Sequence, residues 1–141
     1  MTLNGVIALI LRFFTKFEAD YITVVEDRPN VRKMFAVYVD SIFDKVRRCN
    51  FGCNLKWFCL SITLYEDDIL LLAPTVSSLQ QLLHICETEL IWFDMSINVN
   101  KSSCLRVSPR YNSLCSNLTT LDGREITRMN KVRYLGVHLT S

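Results

Sequence analysis

Glycine and proline are scarce in this chain, 4 and 3 of 141 residues, which excludes collagen-like, linker-like and low-complexity architectures. Histidine occurs only as His84 and His138, and none of the six cysteines (Cys49, Cys53, Cys59, Cys86, Cys104, Cys115) forms a CxxC pair. A zinc site would have to be gathered from scattered positions, so the thiols read as reduced cysteines of a cytoplasmic or nuclear protein. No apolar run reaches the roughly 18–20 residues of a membrane helix. Residues 3–14 are broken by Asn4, Gly5 and Arg12, and Leu55 to Ala73 by Glu66, Asp67 and Asp68, so no membrane partner is expected. Val6 to Leu11 has neither a basic segment before it nor a small-residue cleavage site after it, which argues against a signal peptide. A strong charge of one sign is also missing. The net charge is +2 and the isoelectric point near 8.2, below the value of about 9 expected of a domain wholly devoted to nucleic acid.

Half of the residues are hydrophobic and 21% are charged, enough apolar material for the core of one domain. A mean hydropathy of +0.19 is high for this length and predicts apolar surface that a neighbouring segment would cover. Val6 to Phe17 reads as a short apolar helix and Tyr21 to Val25 as a strand, ahead of the charged breaker Glu26-Asp27-Arg28-Pro29-Asn30. Phe35, Val37, Tyr38, Ile42, Phe43 and Val46 recur at helical spacing, with Lys45, Arg47 and Arg48 as a solvated end and Gly52 as a stop. Leu55 to Leu64 and Ile69 to Ala73, two apolar runs across a short acidic turn, predict a β-hairpin closed by Pro74. Ser77 or Ser78, with Gln80 or Gln81 three residues later, starts a second helix through a capping box; Leu79, Leu82, Leu83, Cys86, Leu90 and Phe93 share one face of it. Asp94 to Ser96 ends that helix. Ile97 to Val107 reads as extended around Asn100 and Lys101, and Leu118 to Leu121, Glu125 to Thr127 and Lys131 to Leu139 as short strands around the turn Asp122-Gly123. The order hairpin, helix, strands predicts an α+β fold, a mostly antiparallel sheet with helices packed on one face.

The acidic turn has two readings. Asp is tolerated in hairpin turns, so Asp67 and Asp68 could be plain solvent-facing residues. Adjacent carboxylates can equally share divalent cations, since Mg²⁺ takes oxygen ligands and is held by one or two carboxylates together with substrate phosphates. A pair of such ions about 3.5–4 Å apart stabilises both oxygens of an in-line phosphoryl displacement.

Leu64-Tyr65-Glu66-Asp67-Asp68-Ile69-Leu70-Leu71-Leu72-Ala73 resembles the Y/F-A-D-D hairpin of reverse transcriptases. Phe35-Ala36-Val37-Tyr38-Val39-Asp40-Ser41 and Gly52-Cys53 precede it. Ser77-Ser78-Leu79-Gln80-Gln81-Leu82-Leu83, Asp94-Met95-Ser96-Ile97-Asn98-Val99-Asn100-Lys101-Ser102 and Arg133-Tyr134-Leu135-Gly136-Val137 follow it. In this order and spacing the segments are similar to the palm of non-LTR (LINE-type, jockey-like) retrotransposon reverse transcriptases. The resemblance implies an RNA-directed DNA polymerase that extends a DNA primer on an RNA template with deoxynucleoside triphosphates. It assigns Mg²⁺ to Asp67 and Asp68, makes Lys101 an aid to the leaving pyrophosphate, and puts Tyr65, Glu66, Tyr134, Leu135 and Gly136 near primer and nucleotide. By residue type alone, Lys101 is equally a surface lysine and Tyr134-Leu135 equally core packing.

Three departures limit what the resemblance implies. Position 66 is small or apolar in that family, whereas Glu66 adds a third negative charge where phosphates approach. The family's first-carboxylate motif, apolar-apolar-Asp followed by Ala-Phe-Asp, has no match; Val39-Asp40-Ser41 is superficially similar but belongs with the helix. Residues 26–33 stand where a Gly-rich segment is expected. The chain thus reads as a poorly matched segment at 1–33 and a partial, truncated palm at 34–141, inactive alone. The alternative is a catalytically dead relic that at most binds nucleic acid or a polypeptide. Its surface would be Arg106, Arg110, Arg124, Arg128, Lys131 and Arg133, residues that equally fit an ordinary solvated face.

Overall fold

The structure, a computed structural model, describes residues 6–15, 40–49, 51–55, 58–65, 68–107 and 116–140. The strand expected at Tyr21 to Val25 and the first turns of the helix expected from Met34 lie outside these residues. A five-stranded sheet is the frame of the fold. Its hairpin consists of β4 (Ile62–Tyr65) and β5 (Asp68–Ala73); short strands β2 (Asn54–Leu55) and β3 (Phe58–Cys59) form a separate pair ahead of it. Only the later part of the apolar run from Leu55 therefore enters the hairpin.

The remaining strands of the sheet are β1 (Val6–Thr15), β6 (Met95–Ile97) and β7 (Ser103–Val107). The helix expected over Val6 to Phe17 is thus a strand. It lies antiparallel to β5 through Ile7↔Ala73 to Arg12↔Asp68, and its other edge pairs with β7 from Val6 to Ile10 and with β6 from Phe13 to Thr15. The physical reason is burial on both faces: Leu9 belongs to one hydrophobic cluster and the next residue, Ile10, to the other. A strand covered on both sides loses the alternation that marks strands and reads like a short buried helix.

One face of the sheet is covered by helices. A helix over 40–48, α1, and α2 (Val76–Trp92) deliver Ile42, Val46, Leu79, Leu82, Leu83, Cys86 and Leu90 onto Leu9, Ile69, Leu71 and Ala73. The expected apolar face of α2 is buried except at Phe93, its half-buried C-cap. The expected start is corrected. Thr75 is the N-cap, its hydroxyl accepting from the Ser78 amide at 3.1 Å, because Gln80 is committed elsewhere. Gln80 donates to the Thr119 carbonyl at 2.6 Å and accepts from the Thr119 amide at 3.0 Å, tying α2 to the pair β8 (Leu118–Thr119) and β9 (Glu125–Ile126). Lys45 and Ser41 of α1 bind the buried Glu89 carboxylate of α2 at 2.5 and 3.0 Å. Burial, and then the charge of Glu89, pushes the Cys86 thiol up to about 12, so this cysteine is an inert core residue. Cys49, Cys53 and Cys104 are likewise thiols outside any disulfide among the described residues.

The opposite face carries a smaller cluster. Hairpin β10 (Lys131–Tyr134) and β11 (Val137–Thr140) lays Val132 and Tyr134 against Ile10 and Leu105, with Leu70 and Leu139 at the margin. The result is the expected α+β arrangement, an antiparallel sheet with its helices packed on one side. Among the described residues no helix is long and apolar enough to cross a membrane. Among the described residues Trp92, Val137 and Ile91 are the most exposed of the large apolar side chains, at 80%, 60% and 58%.

Candidate functional site

The alternation of β5 sorts its residues between the two faces. Ile69, Leu71 and Ala73 are buried under the helices, whereas Leu70 packs with the opposite cluster. Asp68, two residues before Leu70, belongs by the strand period to that opposite face. Tyr65 ends β4 as the ladder partner of Asp68 and is 53% exposed. Glu66 and Asp67, which join them, lie outside the described residues.

The hairpin β10–β11 brings the second part of the site to the same face. Leu135 and Gly136 both have positive φ, 49° and 81°, as a tight two-residue hairpin turn demands. The turn leaves Leu135 half exposed and buries Tyr134, whose phenol oxygen is enclosed with no hydrogen-bond partner among the described residues. Burial, and after it the negative charge of Asp68, raises the Tyr134 phenol above its ordinary range. Tyr134 therefore packs in the smaller cluster and lies within electrostatic reach of Asp68.

Lys101 sits in the turn between β6 and β7, its amide donating to the Asn98 carbonyl at 3.1 Å and to the Asn98 side chain at 3.2 Å. The turn sets Lys101 beside β10, where Lys101, Ser103, Lys131 and Arg133 line a cavity of about 170 Å³ floored by Ile10 and Val132. Sites for drug-sized ligands run to about 300–1,000 Å³, so this space is smaller than those. The six basic residues expected as a surface are not equivalent. Lys131 and Arg133 join Lys101, Arg124 pairs with Asp122 at 2.6 Å, and Arg110 lies outside the described residues. Ser103 and Met129 were not expected here. The Lys-Val-Arg-Tyr alternation of β10 puts Lys131 and Arg133 on its exposed side and Val132 and Tyr134 on the sheet; that they border the same cavity as Lys101 depends on the fold.

An acidic hairpin, a lysine in the turn between two later strands and a short hairpin over the same sheet face thus occur in one ordered arrangement. The family model for Reverse transcriptase (RNA-dependent DNA polymerase) matches residues 30–139. The chain belongs to the reverse transcriptase family. No curated protein matches it.

Membership raises the question whether this reverse transcriptase chain can hold the expected Mg²⁺. Two such ions need several carboxylate oxygens around them. Asp68 is the single acidic residue on the five strands of the sheet. Among the described residues no group of three or more His, Cys, Asp or Glu could hold a metal ion. The residue across the ladder from Asp68, on the strand beside it, is Arg12. The described residues do not fit a two-metal centre. What they do offer is a sheet face with Asp68 beside the apolar Ile10 and Leu70, and a cavity bordered by Lys101 and Ser103 level with the same residues.

Proposed function

We propose that this chain is a reverse transcriptase palm of the non-LTR retrotransposon type that grips a primer–template duplex along its helix-free sheet face and does not by itself catalyse nucleotidyl transfer. The carrying observation is that Lys101, Lys131 and Arg133 border one small cavity beside the sheet face that bears Asp68 and Tyr134. The cations neutralise backbone phosphates and fix the register of the strand, which positions it without reading its sequence. The hairpin β10–β11, seated on Ile10 and Leu105, sets the height of Lys131 and Arg133 above the sheet. Phosphoryl transfer asks a protein chiefly for positioning and charge stabilisation; the cavity supplies the first, while the acidic hairpin lacks a carboxylate-bearing neighbour strand for the second. The ordered non-LTR resemblance across residues 34–139 supports the assignment to that type, with an RNA template, a DNA primer and deoxynucleoside triphosphates as the parent substrates.

The test is a fluorescence-anisotropy titration of a labelled DNA primer annealed to an RNA template, repeated over a salt series. Three neutralised phosphates predict a slope of log affinity against log salt of about −2.7. Lack of saturable binding, or binding indifferent to salt, overturns the proposal.

A further inference from the structure

Helix α2 holds Thr119 of β8 through Gln80, which meets both polar backbone groups of that residue. The Gln80 Oε1 accepts from the Thr119 amide at 3.0 Å and its Nε2 donates to the Thr119 carbonyl at 2.6 Å. His84, half-buried and one turn further along α2, brings its Nε2 to 2.7 Å from the Gln80 Nε2 and 3.2 Å from the Thr119 carbonyl. These contacts admit a single assignment. Turning the Gln80 amide over would set its nitrogen against the Thr119 N–H and its oxygen against the Thr119 carbonyl, donor facing donor and acceptor facing acceptor. Gln80 therefore presents an N–H to His84, and the His84 Nε2 is an acceptor with the ring hydrogen on Nδ1.

We infer that His84 is a proton-operated switch on the docking of β8: uptake of a second proton passes the Thr119 carbonyl from Gln80 to His84 and releases the Thr119 amide. An imidazolium donates from both nitrogens, so two donors would face each other across 2.7 Å and one of them has to move away. The Nε2–H can take over the Thr119 carbonyl, but it has no acceptor to offer the Thr119 amide. Gln80 grips both groups with one planar side chain, so yielding the carbonyl loosens its hold on the amide. Leu118 and Ile126 remain in the main core cluster. The segment after β9 is fastened separately to β7, where the Cys104 amide donates to the Thr127 carbonyl at 3.0 Å and the Met129 amide to the Cys104 carbonyl at 2.8 Å. Release is thus confined to the edge of β8. The charged groups about this contact are Glu87 on α2, Glu125 across the ladder from Thr119, and the Asp122–Arg124 ion pair in the turn between β8 and β9. They set the pH at which the exchange falls, whereas the donor and acceptor pattern sets its direction.

Two measurements on the full ¹⁵N-labelled chain test this. Long-range ¹H–¹⁵N spectra of the imidazoles read the tautomer of His84. Amide hydrogen exchange, corrected for intrinsic rates, reads the protection of Thr119 and Met129 at about pH 8 and about pH 5, the two ends of the histidine range, in the unaltered chain and in His84→Gln, which does not titrate. At the higher pH His84 is expected to carry its hydrogen on Nδ1. On acidification the Thr119 amide is expected to lose protection by about tenfold, the worth of one hydrogen bond, while Met129 keeps its protection and His84→Gln holds Thr119 at both values. A hydrogen on Nε2 at the higher pH overturns the inference. So does a Thr119 amide indifferent to acid, a loss that Met129 shares in full, or an equal loss in a folded His84→Gln, which would give the effect to Glu87. If His84→Gln does not fold, the tautomer and the two amides of the unaltered chain decide. No nucleic acid enters either measurement, so the outcome is independent of the proposed function.

Discussion

The backbone amide of Leu121 donates a 2.7 Å hydrogen bond to the carboxylate of Glu87, 34 residues earlier, and so holds the turn after β8 against α2. Glu87 is only 6% exposed. Burial raises its pKa, outweighing the opposing effect of the Leu121 amide. A raised carboxyl keeps its proton in the folded chain at a pH where the unfolded chain has lost it, so stability falls as pH rises through the folded value. Glu87→Gln retains an oxygen for the Leu121 amide and carries no charge. Thermal melts should show the variant more stable than the parent at neutral pH, with the difference closing as pH falls toward the ordinary glutamate range. A variant less stable at every pH would mean that the charge itself secures the turn.

Gly52 abuts Ser61, which is buried and whose carbonyl accepts from the Leu72 amide at 2.9 Å. A Cβ at position 52 would come within 2.1 Å of the Ser61 Cβ and 3.0 Å of its Cα, contacts that backbone movement alone can relieve. Gly52→Ala should cost about 1–3 kcal/mol in urea unfolding, the range of overpacking. A loss below about 0.5 kcal/mol, the scatter of surface substitutions, would show that this segment yields easily.

Tyr134 buries a phenol oxygen that no partner among the described residues satisfies. An enclosed, unpaired hydroxyl costs about 1–3 kcal/mol, so its removal stabilises. Tyr134→Phe should raise the melting temperature while the aromatic ring keeps its place on Ile10 and Leu105. A destabilised variant would indicate that the hydroxyl is satisfied in solution.

Lys131 and Arg133 are exposed on β10, so their replacement need not disturb the fold. The pair Lys131→Glu and Arg133→Glu should weaken duplex binding and flatten the salt slope by about 0.9 for each lost phosphate contact. Arg48→Glu, on α1 at the helix-covered side, should leave both unchanged. Equal effects from the two would reduce the site to overall charge.

The hairpin was legible in the sequence because Ile62 to Tyr65 and Asp68 to Ala73 keep strand-like composition on both sides of the acids. The face of α2 was legible because Leu79, Leu82, Leu83, Cys86 and Leu90 follow the helical period onto a single core. Its start was misread since Ser77 and Gln80 mimic a capping box, whereas Gln80 answers to Thr119, a contact 39 residues away. Burial on both faces hid β1 as a strand. The lack of a first-carboxylate motif could be read from residue types, but that Arg12 is seated opposite Asp68 follows from register alone. Likewise, nothing local shows that Lys101 borders the same cavity as Lys131 and Arg133; the packing of β10 over the sheet does so.

The most direct test of the central claim is primer extension by the purified chain with Mg²⁺, deoxynucleoside triphosphates and a DNA primer annealed to RNA. The account predicts salt-sensitive duplex binding with no templated incorporation. Incorporation by the unaltered chain that Asp67→Asn abolishes would contradict it, because the hairpin would then be working as a metal-dependent polymerase centre.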